Sequence, residues 1–147
     1  DREMARASRE KFSIGMIMID IDHFKQVNDH HGHMAGDLIL QELAKLLTGG
    51  IRAGDIACRY GGEEFLVILP KASKETTAAR AEQWRTAFAA SRTVYGEDVL
   101  QATISLGVAA YPEDGAAAAE IINAADQAMY QAKKLGRNRV VRAPSRT

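Results

Sequence analysis

Short, continuous apolar runs alternate along this chain with longer segments whose apolar residues recur every three to four positions. SIGMIMI (13–19) is rich in isoleucine and bounded by charge, which predicts a buried strand. DID (20–22) follows it, and a short helix is predicted over about 23–29, broken near Gly32. Over 34–48, Leu38, Ile39, Leu43, Leu46 and Leu47 keep roughly the period of an amphipathic helix, with Gly49-Gly50 as its stop. IACRY (56–60) and FLVIL (65–69) are strand-like, and GGEE between them reads as a hairpin connection. Residues 73–91 predict a helix with Trp84 and Phe88 packed in the core from one face. QATISLGVAA (101–110) predicts another strand, 116–136 a long helix closed by Gly136, and RVV (139–141) a last short strand. Residues 2–10 read as the end of a helix. The order of strand, helices, hairpin, helix, strand and helix predicts an α+β fold, a mixed or antiparallel sheet covered by helices.

Composition narrows the functional classes. The 147 residues are most simply one domain, 1–147, with 46% apolar and 26% charged residues. Lys+Arg and Asp+Glu both count 19, so no global field argues for nucleic acid or an acidic membrane, and any anion site must be local. The single cysteine, Cys58, excludes an internal disulfide, fits a reducing compartment, and reads as a core residue of an apolar strand rather than a nucleophile. No apolar run reaches the roughly 18–20 residues a membrane span needs. The chain opens at Asp1 in the polar, helix-friendly stretch DREMARASREK, as a fragment of a longer protein would.

The candidate chemistry lies at strand ends. A sheet that sets the first strand beside the hairpin could bring Asp20, Asp22, Glu63 and Glu64 together, and carboxylate and carbonyl oxygens are what Mg²⁺ selects. Asp20 and Asp22 share a side if the strand continues, but a helix starting at Asp22 makes that residue an N-cap; Asp20 is favoured as ligand, Asp22 as cap, and the Ile21 carbonyl as a further oxygen. Gly61-Gly62 lets backbone N–H groups approach a phosphate closely. Taken alone, the hairpin is equally a turn with solvated glutamates. Lys133 and Arg137, four apart, are expected on one face near the end of the final helix, where complementing the helix dipole is the alternative use; Lys25 is a further cation beside Asp20. No GxxxxGK[ST] occurs, which excludes a P-loop. Metal-binding carboxylates with scattered cations point to a palm-like nucleotidyl transferase. DHHGH (29–33) has no accompanying zinc-ligand spacing.

Five ordered blocks carry a resemblance: DIDHFKQVND (20–29), GHMAGD (32–37), RYGGEEF (59–65), TISLGVA (103–109) and ADQAMYQAKKLGRN (125–138). Together they resemble the GGDEF family of diguanylate cyclases, in a GGEEF variant. The resemblance implies a central five-stranded, mostly antiparallel sheet wrapped by helices, related to adenylyl cyclase and polymerase palms. It implies that a homodimer converts two GTP into cyclic di-GMP and two pyrophosphates with Mg²⁺, or Mn²⁺ in its place. By position, Asp20, the Ile21 carbonyl and Glu63 hold the metal, and Glu64 binds metal or activates the 3′-hydroxyl. Lys25, Lys133 and Arg137 match phosphate contacts, Phe24 lies in the backbone segment near the phosphates, and Asn28 and Asp37 match the guanine-binding positions. Guanine offers adjacent N1–H and N2–H₂ donors that one carboxylate accepts together, whereas adenine presents an acceptor at N1.

Arg52-Ala-Gly-Asp55, with five residues between its end and Gly61, resembles the family's RxxD inhibitory site for the product. The family often adds a second arginine from the following helix; Arg80 and Arg85 lie nearby, and the matching position holds Gln83. The family's opening DxLTGLxNR segment and its upstream sensory module are absent from the chain. The resemblance implies GTP, cyclic di-GMP and a second copy as partners, with no nucleic acid and no direct membrane contact. The expected setting is a cytoplasmic domain, with membrane anchoring of the parent left open. A catalytically silent module that binds GTP or cyclic di-GMP is the alternative.

Overall fold

The continuous apolar run becomes strand β1 (Ile14–Ile21), whose eight residues are all buried because the strand is central and covered on both faces. The computed structural model describes residues 2–10 and 12–144. Helix α1 (Arg2–Glu10) precedes β1, and helices α2 (Phe24–His31) and α3 (His33–Gly50) follow it. The hairpin is β2 (Ile56–Arg59) and β3 (Glu64–Pro70), and helix α4 (Lys74–Ala90) comes next. Strands β4 (Thr93–Tyr95) and β5 (Asp98–Leu100) form a small separate hairpin before β6 (Ile104–Tyr111), α5 (Ala118–Lys134) and β7 (Arg139–Arg142). The main sheet has the order β2-β3-β1-β6-β7, antiparallel except for the parallel β6–β7 pair, which is the expected α+β architecture.

Alternation along β1 divides the core in two. Ile17, Ile19 and Ile21 join Val67, Ile104, Leu106, Leu43, Trp84 and Phe88 in one cluster, so Trp84 and Phe88 are core residues as expected. Ile14, Met16 and Met18 join Met4, Ala109, Ile121, Ala125 and Met129 in the other. Helix α5 crosses β6 very closely: a Cβ on Gly107 would stand 2.0 Å from the Ala125 carbonyl oxygen. That approach carries the end of α5, with Lys133, over the C-terminal end of β1.

Several boundaries differ from the sequence expectation. Helix α3 runs through Gly49-Gly50 and ends at extended Ile51. The β4–β5 hairpin escaped notice, although Gly96 at φ 62° separates two short β-prone runs. Cys58 is exposed rather than core, because β2 is the edge strand and only one side of it is covered. Helix α5 stops at Lys134, and Arg137 lies in the turn beyond it at φ 65°, so Lys133 and Arg137 do not share a helix face.

Candidate functional site

Antiparallel pairing brings the end of β1 against the base of the glycine hairpin. Asp20 sits opposite Glu64 on β3 and opposite Ser105 on β6. The Ile21 N–H donates to the Glu63 carbonyl at 3.3 Å, which joins the strand end to the hairpin tip. The tip is shaped by Arg59. Its Nε donates to the Gly61 and Gly62 carbonyls at 3.2 and 3.1 Å, and its Nη2 donates to the Gly62 carbonyl at 2.5 Å. The Tyr60 N–H closes the loop onto the Glu64 carbonyl at 2.7 Å.

Asp20 is 5% exposed, and its two oxygens are unlike. Oδ2 accepts from Lys133 Nζ at 2.5 Å, whereas Oδ1 is buried with no donor; the Glu63 carboxyl stands beside Asp20 and bonds to it only when one of the two is protonated. Burial raises the Asp20 carboxyl above its ordinary range, and Lys133 opposes that rise. Burial and then the neighbouring Asp20 charge raise Glu63. Burial raises Glu64 as well, with the Asp20 and Asp126 charges adding to it. Burial leads in all three, and the carboxylates' mutual repulsion adds to it. Among the described residues no three His, Cys, Asp or Glu side chains stand together as a complete metal cage. The donors nonetheless fit a hard cation: an orphaned buried carboxylate oxygen faces acidic neighbours in need of compensation. A cavity of about 950 Å³ along α5 takes in Asp20, Glu64, Asp126 and Lys133.

A second group lies on α2 and α3. Asn28 Oδ1 is also buried without a partner. The amide packs on Gly36, where a Cβ would stand 2.0 Å from Oδ1 and 3.1 Å from Phe24 Cζ. Asp37, the next residue on α3, is exposed and lines a cavity of about 370 Å³ with Leu40, Ala44, Cys58, Arg59 and Phe65. Phe24 is half-buried against the core. Lys25 and Arg137 are exposed, and neither forms an ion pair among the described residues.

Asp22 is not a helix cap. His23 takes the N-cap position of α2 at φ 56°, and no side chain caps that end. The 3%-exposed Asp22 carboxylate turns to β6 instead, accepting from Thr103 Oγ1 at 2.7 Å, Ser105 Oγ at 2.6 Å and the Asn138 N–H at 3.0 Å. A buried charge goes where donors converge, and here three do.

At the RxxD segment, Asp55 Oδ2 accepts from the Arg52 N–H at 2.9 Å and from Arg80 Nη1 at 3.0 Å. Arg80 also donates to the Gly50 carbonyl and lies 5.0 Å over the Trp84 ring. The cation here comes from position 80, while Gln83 is exposed and Arg85 bonds elsewhere. Sequence reasoning missed Arg59, Asn138 and Asp126. Asp126 was findable, since it precedes Lys133 by seven residues, about two helical turns.

The comparisons concern the family and the overall fold. The family model described as "Diguanylate cyclase, GGDEF domain" matches residues 1–139. Diguanylate cyclase A of Treponema denticola is 42% identical over 134 residues, 91% of this chain and 36% of that protein. Response regulator PleD of Caulobacter vibrioides is 40% identical over 143 residues, 96% of this chain and 32% of its own length. The chain therefore spans about a third of these curated relatives. Among solved structures, the active GGEEF domain of a diguanylate cyclase from Vibrio cholerae superimposes with a TM-score of 0.91 at 36% identity, over 99% of this chain and 92% of that one. The GGDEF domain of DgcB from Caulobacter crescentus, in complex with c-di-GMP, gives 0.91 at 33% identity, over 99% and 84%. A five-stranded sheet that sets a half-orphaned aspartate against a glycine-glutamate hairpin, matched by sequence over nearly its whole length, makes this chain a member of the GGDEF domain family of diguanylate cyclases.

Proposed function

We propose that this domain condenses two GTP into cyclic di-GMP with release of two pyrophosphates. The observation that carries the reading is Asp20 Oδ1: a buried, unpartnered carboxylate oxygen at a strand end, beside two glutamates whose carboxyls are raised. Asp20, the Ile21 carbonyl, Glu63 and Glu64 are the residues that would hold Mg²⁺, or Mn²⁺ in its place. The ion would supply charge neutralisation at the triphosphate.

Each bond-forming step joins a 3′-oxygen to an α-phosphorus and breaks the bond to pyrophosphate, and the hydroxyl proton leaves to a base. Glu64, where it does not hold the ion, is that base: burial and nearby negative charge raise its proton affinity. Lys133, Lys25, Arg137 and the backbone at Gly61-Gly62 and Phe24 bind the phosphates. Asn28 and Asp37 bind guanine, and the unpartnered Asn28 Oδ1 favours a ligand with N–H donors. One guanine pair serves one nucleotide, so the product requires two copies facing each other as a homodimer. Product binds back at Arg52 and Asp55, with Arg80 as the second arginine.

Nucleotide chromatography after incubation with GTP and Mg²⁺ tests the reading, with ATP and EDTA as controls. Metal-dependent cyclic di-GMP is expected. GTP left intact at high protein concentration, in a dimerised form, would overturn it.

A further inference from the structure

The turn after α5 holds two consecutive non-glycine residues in the left-handed region, Arg137 at φ 65° and Asn138 at φ 46°. Side chains disfavour that region, and such a pair persists only where its surroundings hold it. Here they do. The Arg137 N–H donates to the Ala132 carbonyl at 2.9 Å, and the Asn138 N–H donates to Asp22 Oδ2 at 3.0 Å. The Asn138 Oδ1 accepts from Arg85 Nη1 at 2.8 Å. Arg85 is itself fixed, because Glu82 accepts from its Nε and Nη2 at 2.7 Å each. Asp22 is anchored to β6 through Ser105 and to Thr103 just before it, one step along the chain from the Ile21–Glu63 contact. The exposed Arg137 thus springs from a backbone tied on one side to the end of β1 and on the other to α4.

We infer that Asn138, left-handed and held through its backbone N–H by Asp22, is a positioning residue that holds the backbone of Arg137 so that its guanidinium meets the nucleotide's phosphates. The inference rests on the diguanylate cyclase reading. The Asn138 side-chain oxygen is already taken by Arg85. Its effect therefore passes through Arg137, acts on phosphate and not on guanine, and depends on a left-handed conformation that asparagine tolerates and glycine adopts freely.

Calorimetry of GTP with Mg²⁺ tests this on wild type, Asn138→Ala, Asn138→Gly, Arg137→Ala and the Asn138→Ala/Arg137→Ala double variant, with guanosine as the phosphate-free probe. Asn138→Ala weakens GTP binding about tenfold while leaving guanosine unchanged, as a misplaced charged group would. Asn138→Gly restores most of that loss. In the Arg137→Ala background, Asn138→Ala costs nothing further. Equal losses for GTP and guanosine, equal losses for the alanine and glycine variants, or full additivity with Arg137→Ala would each overturn the inference. Wild type that binds no GTP would instead overturn the reading beneath it.

Discussion

Two lysine–aspartate pairs join distant parts of this domain. Lys74 at the start of α4 meets Asp114 beyond β6, at 3.1 Å from Oδ1, and Lys133 near the end of α5 meets Asp20 at the end of β1. The first pair is closed. Asp114 Oδ2 accepts the Ala110 N–H at 2.8 Å, Lys74 Nζ donates again to the Ala143 carbonyl at 2.5 Å, and both side chains are at most 5% exposed. The second pair is open. Lys133 is 28% exposed, and one oxygen of buried Asp20 has no partner. A buried ion pair is tolerable when every polar atom is used. Leaving an oxygen unused is costly, and the cation proposed for this site would offset that cost.

Removing each aspartate or its partner separates the two. Asp20→Ala lowers cyclic di-GMP formation by about a thousandfold, the scale on which preorganised charge acts in catalysis. Folding stability changes little, because Lys133 reaches water. Turnover near the wild-type level would overturn the proposed metal role of Asp20. Lys74→Met reverses the pattern. It strands the Asp114 charge and costs about 3–5 kcal/mol in urea unfolding, while turnover per folded molecule is kept. A loss under 1 kcal/mol would show that the closed pair contributes less than its burial indicates.

What the sequence disclosed follows the same division. β1, the hairpin and the amphipathic helices were readable because their periods are local. The meeting of Asp20, Ile21, Glu63 and Glu64 was foreseeable once the strands were set side by side, and the motif blocks pointed to them. Asp22 was misread because its donors, Thr103, Ser105 and Asn138, lie more than 80 residues away. Cys58 was misread because the residues of a strand do not announce that it is an edge. Arg80 was open because the partner of Asp55 depends on how α4 packs beside the end of α3.

Protonation probes the open site more gently. The Glu63 carboxyl is raised in the folded protein by burial and then by the Asp20 charge. The native state therefore holds this proton more tightly than the unfolded chain does, and stability falls as pH rises through the raised value. Metal-free protein should melt at a higher temperature as the pH is lowered from neutral through that value. Glu63→Gln should melt higher than wild type at neutral pH with a flatter pH dependence, and Mg²⁺ should stabilise wild type more than the variant. A Glu63→Gln protein that melts lower at neutral pH without metal would mean that the ionised carboxylate is already compensated.

The smallest effect concerns Asp126, which acts on Glu64 only through its charge. Asp126→Asn removes one of the influences that raise Glu64, so the acid limb of the pH–rate profile should move to lower pH with the maximum rate nearly kept. Added salt should shrink the difference between variant and wild type, since exposed charges are screened. The same exchange at Glu113, exposed and next to the closed pair, should leave the profile where it was. If Asp126→Asn instead abolished turnover at every pH, Asp126 would be in contact with the reacting groups, and the open site would extend along α5 beyond the end of β1.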